Sequence, residues 1–143
     1  MIEVVSVNYT AKQVCAEIFS IRQKVFVEEQ KVSREEEFDE YEISSLHYLG
    51  TYNSIPAGTA RWRITDSGIK LERFAVLAEY RKKGIADAIL KKVLSHVRPS
   101  GAKIYLNAQV TAIGFYEKNG FKKEGSMFSE ANIDHFKMSF IKY

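Results

Sequence analysis

Apolar side chains recur along this chain with two different spacings, which separate strands from helices. Residues 2–8 are rich in Val and Ile, a composition that favours a β-strand. In residues 11–28 the apolar positions return every three or four residues, which predicts an amphipathic helix. Thr10 followed by Gln13 predicts a capping box at the start of that helix. The acidic stretch that follows has weak periodicity, and we expect a loop or a short irregular helix there.

The remainder of the chain alternates between strand and helix patterns, with strands in the majority. Residues 53–56 predict a turn between the first two of these strands. Helical spacing returns in residues 84–97 and again in the short segment 111–118. Strand patterns cover residues 47–52, 57–65, 69–77, 102–109, 121–125 and 134–142. The order β-α-β-β-β-α-β-α-β-β predicts an α+β fold around a mixed sheet, and residues 1–143 suit a single domain.

The cysteine content and the apolar runs narrow the class of protein. One cysteine, Cys15, excludes an intrachain disulfide and any metal site built from several thiolates, and we expect no metal. No apolar run reaches the roughly 20 residues that span a bilayer. The N-terminus lacks the basic region and apolar core of a signal peptide. We therefore expect a cytoplasmic protein without a membrane partner.

Charge is distributed unevenly along the chain, although the net charge is only +3. Residues 28–42 contain eight acidic and two basic side chains, so this stretch carries −6 and the rest of the chain carries +9. The acidic stretch is either a solvated face or a surface suited to a cationic ligand. The lysines elsewhere are spread out without a basic-aromatic recognition motif, which disfavours a nucleic-acid partner.

A basic, glycine-containing loop links the strand at 69–77 to the helix at 84–97. A helix N-terminus presents unpaired N–H groups and about half a positive charge, both of which favour an anion. Basic side chains at this end oppose the helix dipole, so stability alone does not explain them. Gly84 lets the backbone approach a ligand closely, and we therefore expect a phosphate or pyrophosphate site. The loop consists of Arg81, Lys82, Lys83, Gly84, Ile85 and Ala86.

Residues 81–86 read R-x-x-G-x-A after a strand that ends near Phe-Ala-Val, which resembles the acetyl-CoA signature Q/R-x-x-G-x-G/A of the GNAT superfamily. Residues 22–30, His47 and the segments 107–109 and 115–121 also resemble the ElaA-like branch, so the resemblance covers nearly the whole chain. It implies a single-domain GNAT-like fold, with a mostly antiparallel twisted sheet flanked by helices. It also implies an enzyme that transfers an acetyl group from acetyl-CoA (coenzyme A) to a primary amine.

The same resemblance implies where the cofactor lies. Backbone N–H groups of residues 81–86 would bind the pyrophosphate. The strand at 69–77 would splay from the strand at 102–109, and the pantetheine arm would fill the gap. Asn107 would hydrogen-bond that arm, and Lys118 is either a ligand of the adenosine 3′-phosphate or a solvated surface lysine. The residues of the first strand at the gap would be Phe74, Ala75 and Val76.

Direct attack of an amine on the thioester needs a proton acceptor, an oxyanion donor and a proton donor for the CoA thiolate. Tyr116 lies where the family places a tyrosine facing the CoA sulfur, and a protonated phenol can donate to a thiolate. The alternative for Tyr116 is packing in the core beside Phe115. The backbone N–H of Val76 is the candidate for polarising the thioester carbonyl. Cys15 lies on an apolar helix stripe without a base beside it, which disfavours a ping-pong mechanism.

The general base is open among several side chains and water. Glu29 is our catalytic candidate because it lies in VFVEEQ, near the expected substrate entrance. Glu72 would share a strand face with Phe74 and Val76 by period-2 alternation. A lone histidine is more often structural than catalytic. Besides water, the candidate bases are Glu29, Glu72, His47 and His135.

The expected acceptor is a small-molecule or peptide amine, and two features of the sequence point in different directions. The acidic stretch suits a cationic amine, whereas Arg61 and Arg63 suit a substrate carboxylate. The aromatic residues that either line the pocket or pack in the core are Trp62, Tyr105, Phe128 and Phe136. A non-catalytic acyl-CoA sensor is the alternative function, but it would not need Tyr116. Either a monomer or a homodimer joined through the C-terminal strand fits the sequence.

Overall fold

The structure, a computed structural model, describes residues 1–9 and 11–141, apart from the side chain of Lys12. The predicted capping box begins at Thr10 and therefore lies outside the described residues. The helices and strands are β1 Ile2–Val7, α1 Lys12–Arg22, a π-helical segment Gln23–Glu29, α2 Arg34–Glu37, β2 Leu46–Tyr52, β3 Ile55–Thr65, β4 Gly68–Val76, α3 Ile85–Val97, β5 Ile104–Gln109, α4 Ile113–Lys118, β6 Phe121–Glu130 and β7 Ile133–Phe140.

The strands form one seven-stranded sheet in the order β1-β2-β3-β4-β5-β7-β6. Neighbouring strands are antiparallel except β4 and β5, which are parallel because helix α3 connects them. Helix α1 packs on one face of the sheet and α3 on the other. The predicted α+β fold, with a mixed and mostly antiparallel sheet, is confirmed. Within the described ranges, no helix has the length and apolar character needed to cross a bilayer.

The hairpin between β2 and β3 is tighter than predicted. Asn53 and Ser54 alone connect the strands, with φ of 49° and 70°. Positive φ at both central residues is typical of a type I′ turn, whose twist matches that of the flanking strands. The predicted connection over 53–56 is too long because β3 already begins at Ile55.

Strand β6 is longer than predicted, since it reaches Glu130 rather than residue 125. It forms an edge of the sheet, and its side chains from Lys122 to Met127 are exposed. An exposed edge strand lacks the hydrophobic alternation that marks a half-buried strand, so the sequence pattern underestimates its length. The extension brings Glu130 to the cleft between β4 and β5.

The first helix changes its winding part-way along. Helix α1 continues as the π-helical segment, in which the N–H of Gln30 donates to the carbonyl of Val25 at 3.0 Å. The predicted helix over 11–28 is confirmed in extent, but its second part is not an α-helix. The wider turn buries Val25 and Phe26 side by side, and both line the cleft.

Helix α3 lies close to β2 and β3 because two glycines face it. A Cβ added to Gly50 would lie 2.9 Å from Ile89 Cδ1, and one added to Gly58 would lie 3.0 Å from Ile85 Cγ2. Any larger side chain at either position would push the helix outward. Because Ile85 is the first residue of α3, this packing fixes the helix N-terminus beside the end of β4.

Candidate functional site

Strands β4 and β5 separate part-way along their length. Their register contains three residue pairs, the last of which joins Leu71 and Leu106. Strand β4 continues to Val76 and β5 to Gln109, and the described residues form no further pair between them. The predicted splay is confirmed, and it leaves backbone groups of both strands facing the gap.

Strand β4 contains a β-bulge directly before the gap. Two of its residues, Arg73 and Phe74, oppose a single residue of β3. Arg73 has φ 58°, in the left-handed region that non-glycine residues seldom adopt. The extra residue reverses the alternation of faces, so Glu72 lies on the face of Ala75 and opposite that of Phe74. The predicted common face of Glu72, Phe74 and Val76 is therefore wrong.

Val76 turns its backbone groups toward the gap. The N–H of the next residue, Leu77, donates to the carbonyl of Ala57 at 2.9 Å. Successive residues of a strand direct their backbone groups to opposite edges, so the N–H of Val76 faces β5. The carbonyl of Val76 accepts a hydrogen bond from Nε of Arg81 at 3.0 Å. The backbone N–H of Val76 is thus directed at whatever fills the gap.

The loop after β4 forms an open cradle of N–H groups. Lys82 and Gly84 have φ of 63° and 88°, and left-handed residues of this kind turn successive N–H groups to one side. The N–H of Arg81 is committed to the carbonyl of Ala78 at 3.3 Å, whereas those of residues 84–86 meet no acceptor among the described residues. A Cβ at Gly84 would have its nearest neighbour 3.8 Å away, so the cradle is open. This arrangement fits a phosphate or pyrophosphate group.

Tyr116 lies beside the gap, on the face that α3 covers. Its ring is buried and packs edge-on against Phe74 and Phe121, with centroids 5.9 and 5.8 Å apart. Burial raises the pKa of Tyr116, so its hydroxyl stays protonated at neutral pH. Tyr116 lines the cleft together with Asn107, whose amide lies 3.5 Å from Glu130.

A cleft of about 550 Å³ passes through the gap. On the α3 face it is lined by Phe74 and Tyr116. On the α1 face it is lined by polar side chains that include Glu72 and His135. Because Arg81 also lines it, the cleft reaches the beginning of the loop at residues 81–86 as well as the polar chamber on the α1 face.

Glu29 lies outside this cleft, at its rim. Its two carboxylate oxygens accept hydrogen bonds of 2.6 and 2.7 Å from Arg81. This paired hydrogen bond lowers the pKa of Glu29, although the carboxylate is exposed. A carboxylate held in its ionised form by an arginine takes up a proton reluctantly, so the position does not favour Glu29 as the general base.

Three acidic residues of the stretch, Glu37, Asp39 and Glu42, join a buried ionic network, whereas its other five acidic residues are exposed. Arg22 and Arg61, both fully buried, lie at the centre of the network. The carboxylates bound to these two arginines, at 2.8 to 3.0 Å, are Glu37, Asp39, Glu42 and Glu72. The guanidinium of Arg61 is therefore not available to bind a substrate carboxylate, and the expectation that Arg61 has this role is wrong.

Two further candidate bases are poorly placed for proton transfer. Burial alone would raise the pKa of Glu72, but basic neighbours, Arg61 first among them, outweigh burial and lower it to about 2. His47 is buried among the α1 contacts and is not one of the cleft residues in the described chain. Burial lowers the pKa of His47, and its Nε2 lies 2.9 Å from the carbonyl of Glu42.

His135 is the candidate base that the structure places in the cleft. Its Nδ1 lies 2.7 Å from the carbonyl oxygen of Ile133, which can only accept a hydrogen bond. Nδ1 therefore carries the proton, and the neutral ring presents the lone pair of Nε2. Nε2 lies 3.8 Å from the carboxylate of Glu130, and Phe128 stacks on the ring.

The four aromatic residues considered for the pocket have other roles. Trp62 donates from its indole N–H to the Tyr48 hydroxyl at 2.8 Å, and the Tyr105 hydroxyl lies 2.6 Å from that of Thr65. Phe128 stacks on His135 from outside the cleft. Within the described residues, the lining of the cleft includes none of the four, which are Trp62, Tyr105, Phe128 and Phe136.

Several cleft residues were missed by reasoning from sequence. Arg73 reaches the cleft through the bulge, and Glu130 through the unexpected length of β6. Of these three residues, only Lys70 could have been predicted from sequence, because period-2 alternation places it on the same strand face as Glu72. Its ammonium lies 3.1 Å from that carboxylate.

The acetyltransferase (GNAT) domain family matches residues 7–142. This chain belongs to that family. An uncharacterised N-acetyltransferase of Bacillus subtilis (strain 168), YjcF, is 39% identical over 122 residues, which cover 84% of this chain and 87% of the relative. The GNAT protein is therefore an acetyltransferase, an enzyme that transfers an acyl group from an acyl-CoA.

Solved structures agree with this assignment at the level of the fold. The crystal structure of Escherichia coli ElaA is 23% identical and has a TM-score of 0.86, covering 99% of this chain and 100% of that chain. The PaiA N-acetyltransferase of Thermoplasma acidophilum, in complex with coenzyme A, is 19% identical with a TM-score of 0.72, covering 100% and 99%. The predicted GNAT-like fold is confirmed.

Proposed function

We propose that this GNAT protein transfers an acetyl group from acetyl-CoA to a primary amine by direct attack across the gap between β4 and β5. The observation that carries the proposal is a cleft that passes through the gap between β4 and β5, from Phe74, Tyr116 and Arg81 to the polar chamber. Two substrates that enter from opposite faces can meet at the gap without a covalent enzyme intermediate. Cys15 is buried in the α1 core, which supports direct attack rather than acetylation of a thiol.

The cradle and the gap fit the two polar parts of coenzyme A. Residues 84–86 would hold the pyrophosphate, while the exposed Lys82 and Lys83 add positive charge. The amides of the pantetheine arm would bond to the backbone of Val76 and the side chain of Asn107. Ala75 points into the α1 core. The proposed cofactor-binding residues are Phe74, Val76, Arg81, Lys82, Lys83, Gly84, Ile85, Ala86, Asn107 and Tyr116, with Ala75 contributing backbone only.

Four groups of this chain would act on the reaction. Acetyl-CoA, when bound, supplies an activated thioester carbonyl and a thiolate leaving group. The N–H of Val76 would donate to the carbonyl oxygen as negative charge develops there. His135 Nε2 would accept a proton from the acceptor as the C–N bond forms, and Glu130 would stabilise the resulting imidazolium. Tyr116 would donate its hydroxyl proton to the sulfur as the C–S bond breaks.

The acceptor class and the setting follow from the same features. The cleft has room for a small molecule or the end of a peptide rather than for a folded surface.

A buried, unpaired cysteine agrees with a reducing, cytoplasmic location. We propose that residues 1–143 act as one N-acetyltransferase domain, as a monomer or as a homodimer. The C-terminal strand β7, which the sequence suggested for a dimer contact, lies inside the sheet between β5 and β6, so the exposed edge strand β6 would form the contact instead. Light scattering after size-exclusion chromatography distinguishes these two states.

Titration calorimetry with acetyl-CoA tests the proposed cofactor site. We expect binding by the wild-type protein and its loss in Gly84→Asp, because a carboxylate would lie where the pyrophosphate binds. Gly84→Asn is the matched control: Asn has the same shape as Asp, and both tolerate the left-handed conformation of this residue better than other side chains. Equal losses in Asp and Asn variants would attribute the effect to shape. Absence of binding by the wild-type protein would overturn the proposal.

A further inference from the structure

The acceptor chamber has two walls of opposite charge. One wall is formed by β3 and β4 and presents Arg63, Lys70 and Arg73. The other is formed by the β6–β7 hairpin and presents Glu130 beside His135. Both sets lie on the α1 face of the sheet, which is the face opposite Tyr116. A ligand in this chamber therefore meets a cationic end and an anionic end.

The ion pairs of the cationic wall involve more basic than acidic side chains. Within the described residues they connect five basic side chains to four carboxylates, an excess of one positive charge among the paired groups, while Glu36, whose carboxylate accepts a hydrogen bond from Ser33, also lines the cleft. The basic members are Arg22, Arg61, Arg63, Lys70 and Arg73, and the acidic members are Glu37, Asp39, Glu42 and Glu72. An uncompensated charge in a partly buried wall favours a monoanionic partner.

Of the five basic groups, those at the cleft surface are half-buried and reachable. The side chains of Arg63, Lys70 and Arg73 are 16%, 18% and 20% exposed, whereas Arg22 and Arg61 are sealed behind them. Arg63 binds Glu72 through Nε at 2.8 Å and stacks on the Tyr41 ring at 3.8 Å, and its terminal nitrogens have no hydrogen-bond acceptor among the described residues. Guanidinium and ammonium groups in such a setting bind carboxylates through charge-assisted hydrogen bonds.

The opposite wall suits an ammonium group before it reacts. The Glu130 carboxylate is about half exposed, and it lies 3.8 Å from His135 Nε2, the proposed base. An amine attracted by Glu130 would therefore be delivered to the group that deprotonates it. Strands β4 and β7 are separated by β5, and β4 splays away from β5 at the gap, so the two walls stand more than about 10 Å apart at the backbone.

We propose that the acceptor is a zwitterion whose amine and carboxylate are separated by several bonds, such as an ω-amino acid or a short peptide. The carboxylate binds between Arg63, Lys70 and Arg73. The ammonium group binds at Glu130, passes one proton through His135 to solvent, and gives a second proton to His135 as the C–N bond forms. The separation of the walls excludes an α-amino acid, whose two charged groups share one carbon, from contacting both. This inference rests on the proposed acetyl transfer and adds the class of acceptor.

The test compares acceptors that differ only in the carboxylate. Acetyl-CoA turnover is measured with a series of ω-amino acids of increasing chain length, with the primary amide of each acid, and with a diamine of matched length. We expect an optimum length at which the acid has a kcat/KM roughly tenfold to a hundredfold above that of its amide. The diamine should be as poor as the amide, because it places a cation on the cationic wall.

Two variants connect the preference to the wall. In Lys70→Gln and Arg63→Gln the acid-to-amide ratio should fall toward one, mainly through KM of the acid. Lys103→Gln removes the same charge outside the cleft, where Lys103 pairs with Glu124, and should leave the ratio intact.

The outcomes separate this inference from the proposed function. Amides or diamines acetylated as well as acids, or a ratio unmoved in both cleft variants, would overturn the zwitterionic acceptor and leave acetyl transfer standing. If no amine is acetylated, calorimetry on the CoA-bound protein measures acceptor binding directly. Binding of the acids but not of their amides supports the zwitterionic acceptor. Binding of neither overturns it. Failure to bind acetyl-CoA would instead overturn the proposed function.

Discussion

At the scale of single residues, the most specific assignment concerns the hydroxyl of Tyr116. A buried phenol with a raised pKa keeps its proton throughout the physiological pH range, so it is available as a proton donor. In Tyr116→Phe we expect kcat to fall about a hundredfold, at the lower end of the effect of a general acid, with acetyl-CoA affinity little changed. The rate at which free CoA thiol is released measures kcat, and titration calorimetry measures the affinity for acetyl-CoA.

Tyr105→Phe is the matched control for that variant. It removes the same hydroxyl from a buried tyrosine whose partner is Thr65, outside the cleft. Its kcat should equal that of the wild type. A Tyr116→Phe enzyme as active as Tyr105→Phe would show that Tyr116 is a core aromatic, the alternative that its contacts with Phe74 and Phe121 allow.

The assignment of His135 as base has a different signature. His135→Gln keeps a polar side chain but cannot take up a proton, so kcat should fall at neutral pH. The deficit should shrink as the pH rises toward about 10, where a typical primary amine loses its proton without help. A deficit that is independent of pH would contradict a role in deprotonation and indicate a positioning role instead. Glu29→Gln, which frees Arg81 at the rim, should show no such pH-dependent deficit.

At the scale of elements, the buried ionic network ties the acidic stretch and α1 to β3 and β4. The pKa of Glu72 is about 2 in the folded protein and about 4.3 in an unfolded chain. A lowered folded pKa adds stability that is complete above the unfolded value and is lost as the pH falls toward 2. Glu72→Gln should therefore lower the free energy of unfolding by about 3 kcal/mol at pH 7, and by much less near pH 2.

Urea unfolding of both proteins at several pH values measures this difference. Glu124→Gln is the control, because that exposed carboxylate pairs only with surface groups such as Lys103 and should contribute nothing measurable. A Glu72→Gln difference that stays constant from pH 7 to pH 2 would contradict the linkage. It would mean that packing rather than ionisation accounts for the loss.

The surroundings of two glycines, one packed against α3 and one within α4, predict opposite effects of an added methyl group on stability. Gly58→Ala should destabilise the protein by about 1–3 kcal/mol, since its Cβ would press on Ile85 and Ile89. Gly114→Ala should stabilise it by about 0.5–1 kcal/mol, because a Cβ there meets nothing within 4 Å and alanine favours the helix α4. Thermal melting of the two variants tests both signs. Shifts in the same direction would contradict this packing.

The elements also show which features a sequence can reveal. The anion-binding loop at 81–86 can be predicted from sequence because its features are local. They are the end of a strand, the start of a helix and the residue types between them. The bulge at Arg73 cannot be predicted in this way, since it depends on the register in which β4 pairs with β3, and one extra residue moves Glu72 to the other face. The partners of Arg61 are hidden for the same reason, because its carboxylates come from segments up to 22 residues away.

At the scale of the whole molecule, one sheet consists of two antiparallel parts, β1–β4 and β5–β7, joined by three residue pairs. The element order and the α+β class follow from periodicity alone, and the resemblance to GNAT proteins implied the splay. What periodicity does not show is that the gap connects two chambers of different character. Phe74 and Tyr116 line it on the α3 face, and the charged walls lie on the α1 face.

A crystal structure of the protein with acetyl-CoA tests the central claim most directly. We expect the pyrophosphate on the N–H groups of residues 84–86 and the thioester carbonyl within hydrogen-bonding distance of the Val76 N–H. The sulfur should lie beside the Tyr116 hydroxyl, with the acetyl group facing His135. A cofactor bound outside the gap, or one whose sulfur lies far from both Val76 and Tyr116, would contradict direct transfer at this site.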